Sequence, residues 1–119
     1  MRLSGAQRLR KSADFEAMRA RSSGCVCSAF RLRILPTSTG LRRLGVIASK
    51  RVGNSVARSR AKRLLREAFR NTQDRLPPSC DVLLIASRPV LDMSGPALQC
   101  QYEERLQKAL SRVKREGTS

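Results

Sequence analysis

The chain has 119 residues, enough for one compact domain with a modest core and too few for two. Lysine and arginine total 25 against 9 aspartates and glutamates, histidine is absent, and the formal net charge is +16. Self-repulsion on that scale opposes compaction unless a polyanion offsets it, so a nucleic acid is the first candidate partner and an anionic membrane surface the second.

No apolar run approaches the ~18 residues of a membrane-spanning helix. The basic N-terminus lacks the apolar stretch of a signal peptide. A cytoplasmic protein with no membrane partner is therefore expected. Phe15, Phe30, Phe69 and Tyr102 are the only aromatic residues, so aliphatic side chains must fill most of the core.

Residues 1–11 are polar and basic without an apolar period, and are expected to form a mobile arm ahead of a domain spanning 12–115. "SADFEAMRA" follows: Ser12 can cap a helix, Asp14 and Glu16 suit its first turn, and Phe15 and Met18 share one side. "SSG" at 22–24 breaks that short helix. Phe30, Leu32 and Ile34 then alternate with Arg31 and Arg33, which predicts a strand with one apolar and one basic face. Gly24 to Ala29 can extend as well, giving three strands together with Leu44 to Ser49, which follows the turn cluster "PTSTG".

Four cysteines, Cys25, Cys27, Cys80 and Cys100, lack the paired clusters of a structural metal site. Free thiols in a reducing compartment are expected, with neither metal nor disulfide.

Gly53 and Asn54 punctuate the chain, and Asn54 or Ser55 can cap a new helix over about 55–70. Ala57, Ala61, Leu64, Leu65 and Ala68 recur at steps of three and four, drawing one apolar stripe. Arg58, Lys62, Arg66 and Arg70 are expected to climb the outer side at steps of four, with Arg60 and Arg63 on the flank. Two prolines in "DRLPPSC" end the unit. "DVLLIAS", 81–87, has the continuous apolar character of a central strand covered on both faces. A last helix is predicted from Pro96 to Lys114, with Leu98, Tyr102, Leu106, Ala109 and Val113 on one side.

Like charges four residues apart weaken a helix by a few tenths of a kcal/mol per pair, so the basic ladder works against its own folding. Phosphates would offset that cost, since each contact releases condensed counterions. The planar fork of arginine also matches phosphate oxygens and stacks on bases. A surface that is basic for solubility alone does not require such clustering. An enzyme acting through its own side chains finds no support: there is no histidine, no closely spaced carboxylate pair in a segment that reads as a site, since Asp14 and Glu16 suit a first helical turn, and no glycine-rich phosphate loop. No catalytic residue is assigned to the protein.

The stretch "SKRVGNSVARSRAKRLLREAFR", 49–70, resembles the protein component of bacterial ribonuclease P. The diagnostic pattern of that family is a lysine and a glycine, a short spacer, and a helix of the form R-N-R-x-K-R-x-x-R-E-x-F. Arg58, Arg60, Lys62, Arg63, Arg66, Glu67 and Phe69 fall in register with it. Ser59 stands where asparagine is usual, Arg19 replaces the second of two helix aromatics after Phe15, and Arg33 replaces a strand aromatic. These departures shift the expected binding from base stacking toward phosphate contact.

The resemblance implies a single α+β domain, an α/β sandwich in the order α-β-β-β-α-β-α, with a left-handed βαβ crossover. It implies a protein subunit of an RNA-based endonuclease that removes the 5′ leader of precursor tRNA. The catalytic RNA performs the hydrolysis and holds the Mg2+. Partners are then the catalytic RNA and precursor tRNA, with no obligate protein partner. Lys50, Arg51, Gly53, Asn54, Arg58, Ser59, Arg60, Lys62, Arg63 and Arg66 are expected to face the catalytic RNA. A cleft with Phe15, Arg19, Phe30 and Arg33 is expected to hold the leader. Plainer roles stay open, with Phe15 and Phe30 in the core and Gly53 as a turn. The alternative function is a non-catalytic RNA-binding module of ribosomal or chaperone type, which the charge alone equally allows.

Overall fold

The alternation at Phe30, Leu32 and Ile34 produces β2 (Phe30–Pro36), whose apolar members are buried while Arg31 stays exposed. The computed structural model describes residues 23–38 and 40–117, with side chains over 27–38 and 40–111. The arm at 1–11 and the helix expected from Ser12, with Phe15 and Arg19, lie outside the described residues.

Around β2 the chain builds β1 (Ser23–Val26), β3 (Arg42–Ile47) and β4 (Cys80–Ala86), in the sheet order β1-β2-β4-β3. β1 pairs antiparallel with β2 and β2 antiparallel with β4, whereas β3 runs parallel to β4. A parallel neighbour requires a crossover, and α1 (Ser55–Thr72) supplies it between β3 and β4. The second long helix is α2 (Gly95–Gly117), and short 3₁₀ turns at Gln73–Arg75 and Arg88–Asp92 flank β4. The described part of the chain thus runs β-β-β-α-β-α, and the fold is α+β.

β4 lies between β2 and β3, and six of its seven residues are buried. That is the position its uninterrupted apolar run anticipates. Two expected strand boundaries move. β1 closes at Val26 rather than Ala29, because Cys27 turns the chain through a hydrogen bond from its backbone N–H to the Phe30 carbonyl. β3 spans Arg42–Ile47 rather than Leu44 to Ser49. Its two arginines are held in place: Arg42 donates to the carbonyls of Leu76 and Pro77, and Arg43 to the Asp81 carboxylate.

Strand parity sorts the sheet into two faces. Register places Leu32 opposite Leu84 and Leu84 opposite Val46, and Ile34 opposite Val82 and Val82 opposite Leu44. This face packs against the helices. Ala61, Leu65, Ala68 and Phe69 of α1 and Leu98, Tyr102, Leu106 and Ala109 of α2 join it in one buried cluster. Each fully buried leucine or phenylalanine of this cluster contributes roughly 1.5–3 kcal/mol of hydrophobic stabilisation, and each alanine less. The opposite face carries Arg31, Arg33, Arg43 and Asp81.

Phe30 belongs to the helix-packed face. It is fully buried, and its ring lies 6.1 Å from that of Tyr102 at an interplanar angle of 53°. Its expected place in a leader cleft with Arg33 is therefore corrected: residues three apart on a strand point to opposite faces, and the aromatic-poor core takes the phenyl ring.

Candidate nucleic-acid interface

The interface is built from the point where β3 hands over to α1. Gly53 has φ +151°, a conformation that L side chains rarely adopt, and a Cβ there would lie 2.9 Å from the Ala57 Cβ. Only glycine lets the chain enter the helix at this angle. Asn54 then caps it: the side-chain oxygen accepts from the Ala57 N–H at 2.9 Å, and the Asn54 carbonyl accepts from the Arg58 N–H at 2.9 Å. The capping residue is thus Asn54 rather than Ser55. Gly53 and Asn54 serve the backbone, and through it they aim the basic face.

Along α1 the core takes Ala61, Leu65, Ala68, Phe69 and Thr72. The exposed side presents Val56, Ser59, Arg60, Arg63, Arg66 and Glu67, whereas Arg58, Lys62 and Arg70 are half-buried. The expected arrangement is therefore reversed in part. Arg60 and Arg63 lead the outer side, and Arg58 and Lys62 lie on the flank. The reason is geometric, since four residues at 3.6 per turn overshoot a full circle, and the 58/62/66/70 ladder rotates by about 120° over its length.

The N-terminal end of α1 has no acidic residue in its first turn, so its positive dipole end is left for a partner anion. Lys50 and Arg51 are exposed in the segment just ahead of it. A further cation joins them that sequence reading missed. Ile47 pairs with Ile85 in parallel register, so the ends of β3 and β4 emerge together, and the 3₁₀ turn carrying exposed Arg88 packs against α1. The signal was a lone arginine after a strand, which acquires meaning only through the crossover.

Carboxylates gather elsewhere. Glu67 and Glu103 line a groove of about 420 Å³ between α1 and α2, together with Asn71 and Gln99, whose side chains are hydrogen-bonded at 3.1 Å. Glu103 also pairs with Arg75 at 3.3 Å. Phosphate is thus favoured on the outer face of α1 and disfavoured in the groove beside it.

Two groups capable of proton or nucleophile chemistry, Asp81 and Cys80, are withdrawn from the surface, whereas Cys100 is exposed. Asp81 is buried and held by Arg43 through two hydrogen bonds of 2.7 Å. Cys27, Cys80 and Cys100 are free thiols. Burial, reinforced by the adjacent Asp81 charge, pushes the Cys80 thiol up from 9.0 to about 11, which removes its thiolate near neutrality. Burial likewise raises the Tyr102 hydroxyl far above its ordinary range. That hydroxyl lies toward Thr72 without completing a hydrogen bond.

A four-stranded sheet covered on one face by two helices, with a cationic ridge on the crossover helix, defines an α+β domain whose surface suits a polyanion. Comparison with known proteins makes this specific. The sequence model of the ribonuclease P family matches residues 3–110. The ribonuclease P protein component of Shouchella clausii is 39% identical over 104 residues, covering 87% of this chain and 85% of that protein. The solved Staphylococcus aureus ribonuclease P protein aligns at 28% identity with a TM-score of 0.70, covering 91% of this chain and 95% of that one. The Thermotoga maritima protein, at 22% identity, shares the fold with a TM-score of 0.70 over 88% of this chain and 96% of its own. The chain belongs to the ribonuclease P protein family, whose members are protein subunits of ribonuclease P in tRNA processing.

Proposed function

We propose that the chain assists ribonuclease P without carrying out the chemistry, the catalytic RNA hydrolysing the phosphodiester that joins the 5′ leader to precursor tRNA. The observation that carries this reading is the outer face of α1. Arg60, Arg63 and Arg66 are exposed, owe nothing to the core, and fall in register with the motif of the family, with Ser59 exposed beside them where the motif has asparagine. Lys50, Arg51 and Arg88 extend the same cationic end, while Arg58 and Lys62 flank it.

In this reading α1 lies against the catalytic RNA and neutralises phosphates that would otherwise repel one another in the folded RNA. Magnesium is assigned to the RNA in this reading, because the RNA carries out the metal-dependent hydrolysis. The sheet face opposite the helices, with Arg31 and Arg33, receives the single-stranded leader through phosphate contact, aided by Phe15 and Arg19. Phe30 supports that face from beneath as a core residue. The cytoplasm is the matching compartment.

The test is substrate discrimination. Affinities of the catalytic RNA for precursor and for mature tRNA are measured with and without the protein. A gain confined to the precursor supports leader binding, and an equal gain for both transcripts removes the leader from the account. Phe15→Ala should diminish the precursor-specific gain, whereas equal losses for both transcripts assign Phe15 to folding.

A further inference from the structure

The most exposed large apolar side chain among the described residues is Val56, at 75%, against 39% for Ile47 and 37% for Leu41. Single exposed apolar residues are ordinary on protein surfaces. The position of this one is not. It lies in the first turn of α1 with Ser59, Arg60 and Arg63 at the i+3, i+4 and i+7 positions, so it shares the cationic outer face with them.

Nothing in folding accounts for it. The side chain reaches no core partner, and a β-branched residue is a poorer helix former than alanine. A first turn is better served by a carboxylate, and this one has none. An isopropyl group left in water among arginines gains nothing until a surface covers it. The surrounding cations require that surface to be polyanionic, and RNA offers both features, with phosphates at the edge and the apolar faces of sugars and bases between them.

We propose that Val56 is an RNA-contacting residue, its isopropyl group packed on the apolar face of a nucleoside while Arg60 and Arg63 hold the neighbouring phosphates. The inference rests on the reading that α1 faces the catalytic RNA. It adds a distinct kind of contact, one that displaces no counterions and so contributes affinity that salt does not weaken. It also fixes position, because a packed side chain is shape-selective where a phosphate contact tolerates sliding.

The experiment measures binding of the full chain to a bacterial ribonuclease P RNA across a range of salt concentrations, for Val56→Ala, Val56→Ile and Arg63→Ala, with thermal unfolding of each. Val56→Ala should weaken binding several-fold, up to about tenfold, by an equal factor at every salt concentration and with no loss of melting temperature. Val56→Ile should retain the affinity. Arg63→Ala should weaken binding and flatten the salt slope. If Val56→Ala binds as well as the parent while Arg63→Ala behaves as stated, the Val56 contact is refuted and the orientation of α1 stands. If Arg63→Ala changes neither affinity nor slope, the orientation itself fails.

Discussion

Arg43 and Asp81 face each other across the parallel β3–β4 pair, with Nε donating to Oδ1 and a terminal nitrogen to Oδ2, each at 2.7 Å. The carboxylate is 3% exposed and the guanidinium side chain 18%, so the pair is largely removed from solvent screening. It fastens the edge strand that leads into the basic helix to the central strand of the sheet.

Removing one partner leaves a buried charge without compensation, which costs about 3–5 kcal/mol where burial is complete. Arg43→Ala should therefore lower the unfolding free energy by several kcal/mol, toward the lower end of that range because the arginine keeps some exposure. Urea denaturation monitored by circular dichroism measures this, and a change below about 1 kcal/mol would mean the pair is only a surface contact.

Gly53→Ala should destabilise the domain by about 1–3 kcal/mol, since φ +151° is strained for alanine and the new Cβ meets the Ala57 Cβ at 2.9 Å. Affinity for RNA should fall along with stability, because the strain relaxes by re-aiming the start of α1. Melting temperature and RNA binding of the same variant are the two readouts. Lost binding at an unchanged melting temperature would make Gly53 a direct RNA contact.

Arg60→Ala with Arg63→Ala should reduce the slope of log affinity against log salt by close to one unit per lost phosphate contact, about 0.9 on duplex RNA by analogy with DNA. Both side chains are exposed, so folding stability should hold. A slope that does not move would mean that neither side chain touches phosphate.

Alkaline pH should weaken the fold. The native state holds the Cys80 proton more tightly than the unfolded chain, so its contribution is fully present below 9.0 and is lost as pH rises through about 11. The same burial makes Cys80 slow to alkylate at pH 8, whereas Cys100 is exposed and should label first. Mass mapping of a brief iodoacetamide reaction decides the order. Prior labelling of Cys80 in native protein would contradict the burial assigned to it.

Elements with a long, unbroken signal were legible in the sequence. α1, α2 and β4 have hydrophobic signals that one segment carries by itself; the two helices extend their expected spans by a few residues and β4 is shifted by one. β3 was displaced because Arg42 and Arg43 look unlike strand residues until the carbonyls of Leu76 and Pro77 and the carboxylate of Asp81 stand opposite them. The face of α1 was misjudged by counting in fours rather than in turns of 3.6, which exchanged Arg58 and Lys62 for Arg60 and Arg63. The parity of β2 already separated Phe30 from Arg33, yet the family resemblance placed both in one cleft. Arg88 needed the parallel pairing of β3 with β4, a long-range fact that no local pattern contains.

The most direct measurement is leader removal from precursor tRNA at low magnesium by the catalytic RNA alone, by the protein alone after removal of all RNA, and by the two together. The account predicts weak cleavage by the RNA, none by the protein, and efficient cleavage by the pair. Cleavage by the RNA-free protein, or no enhancement when the two are combined, would contradict it.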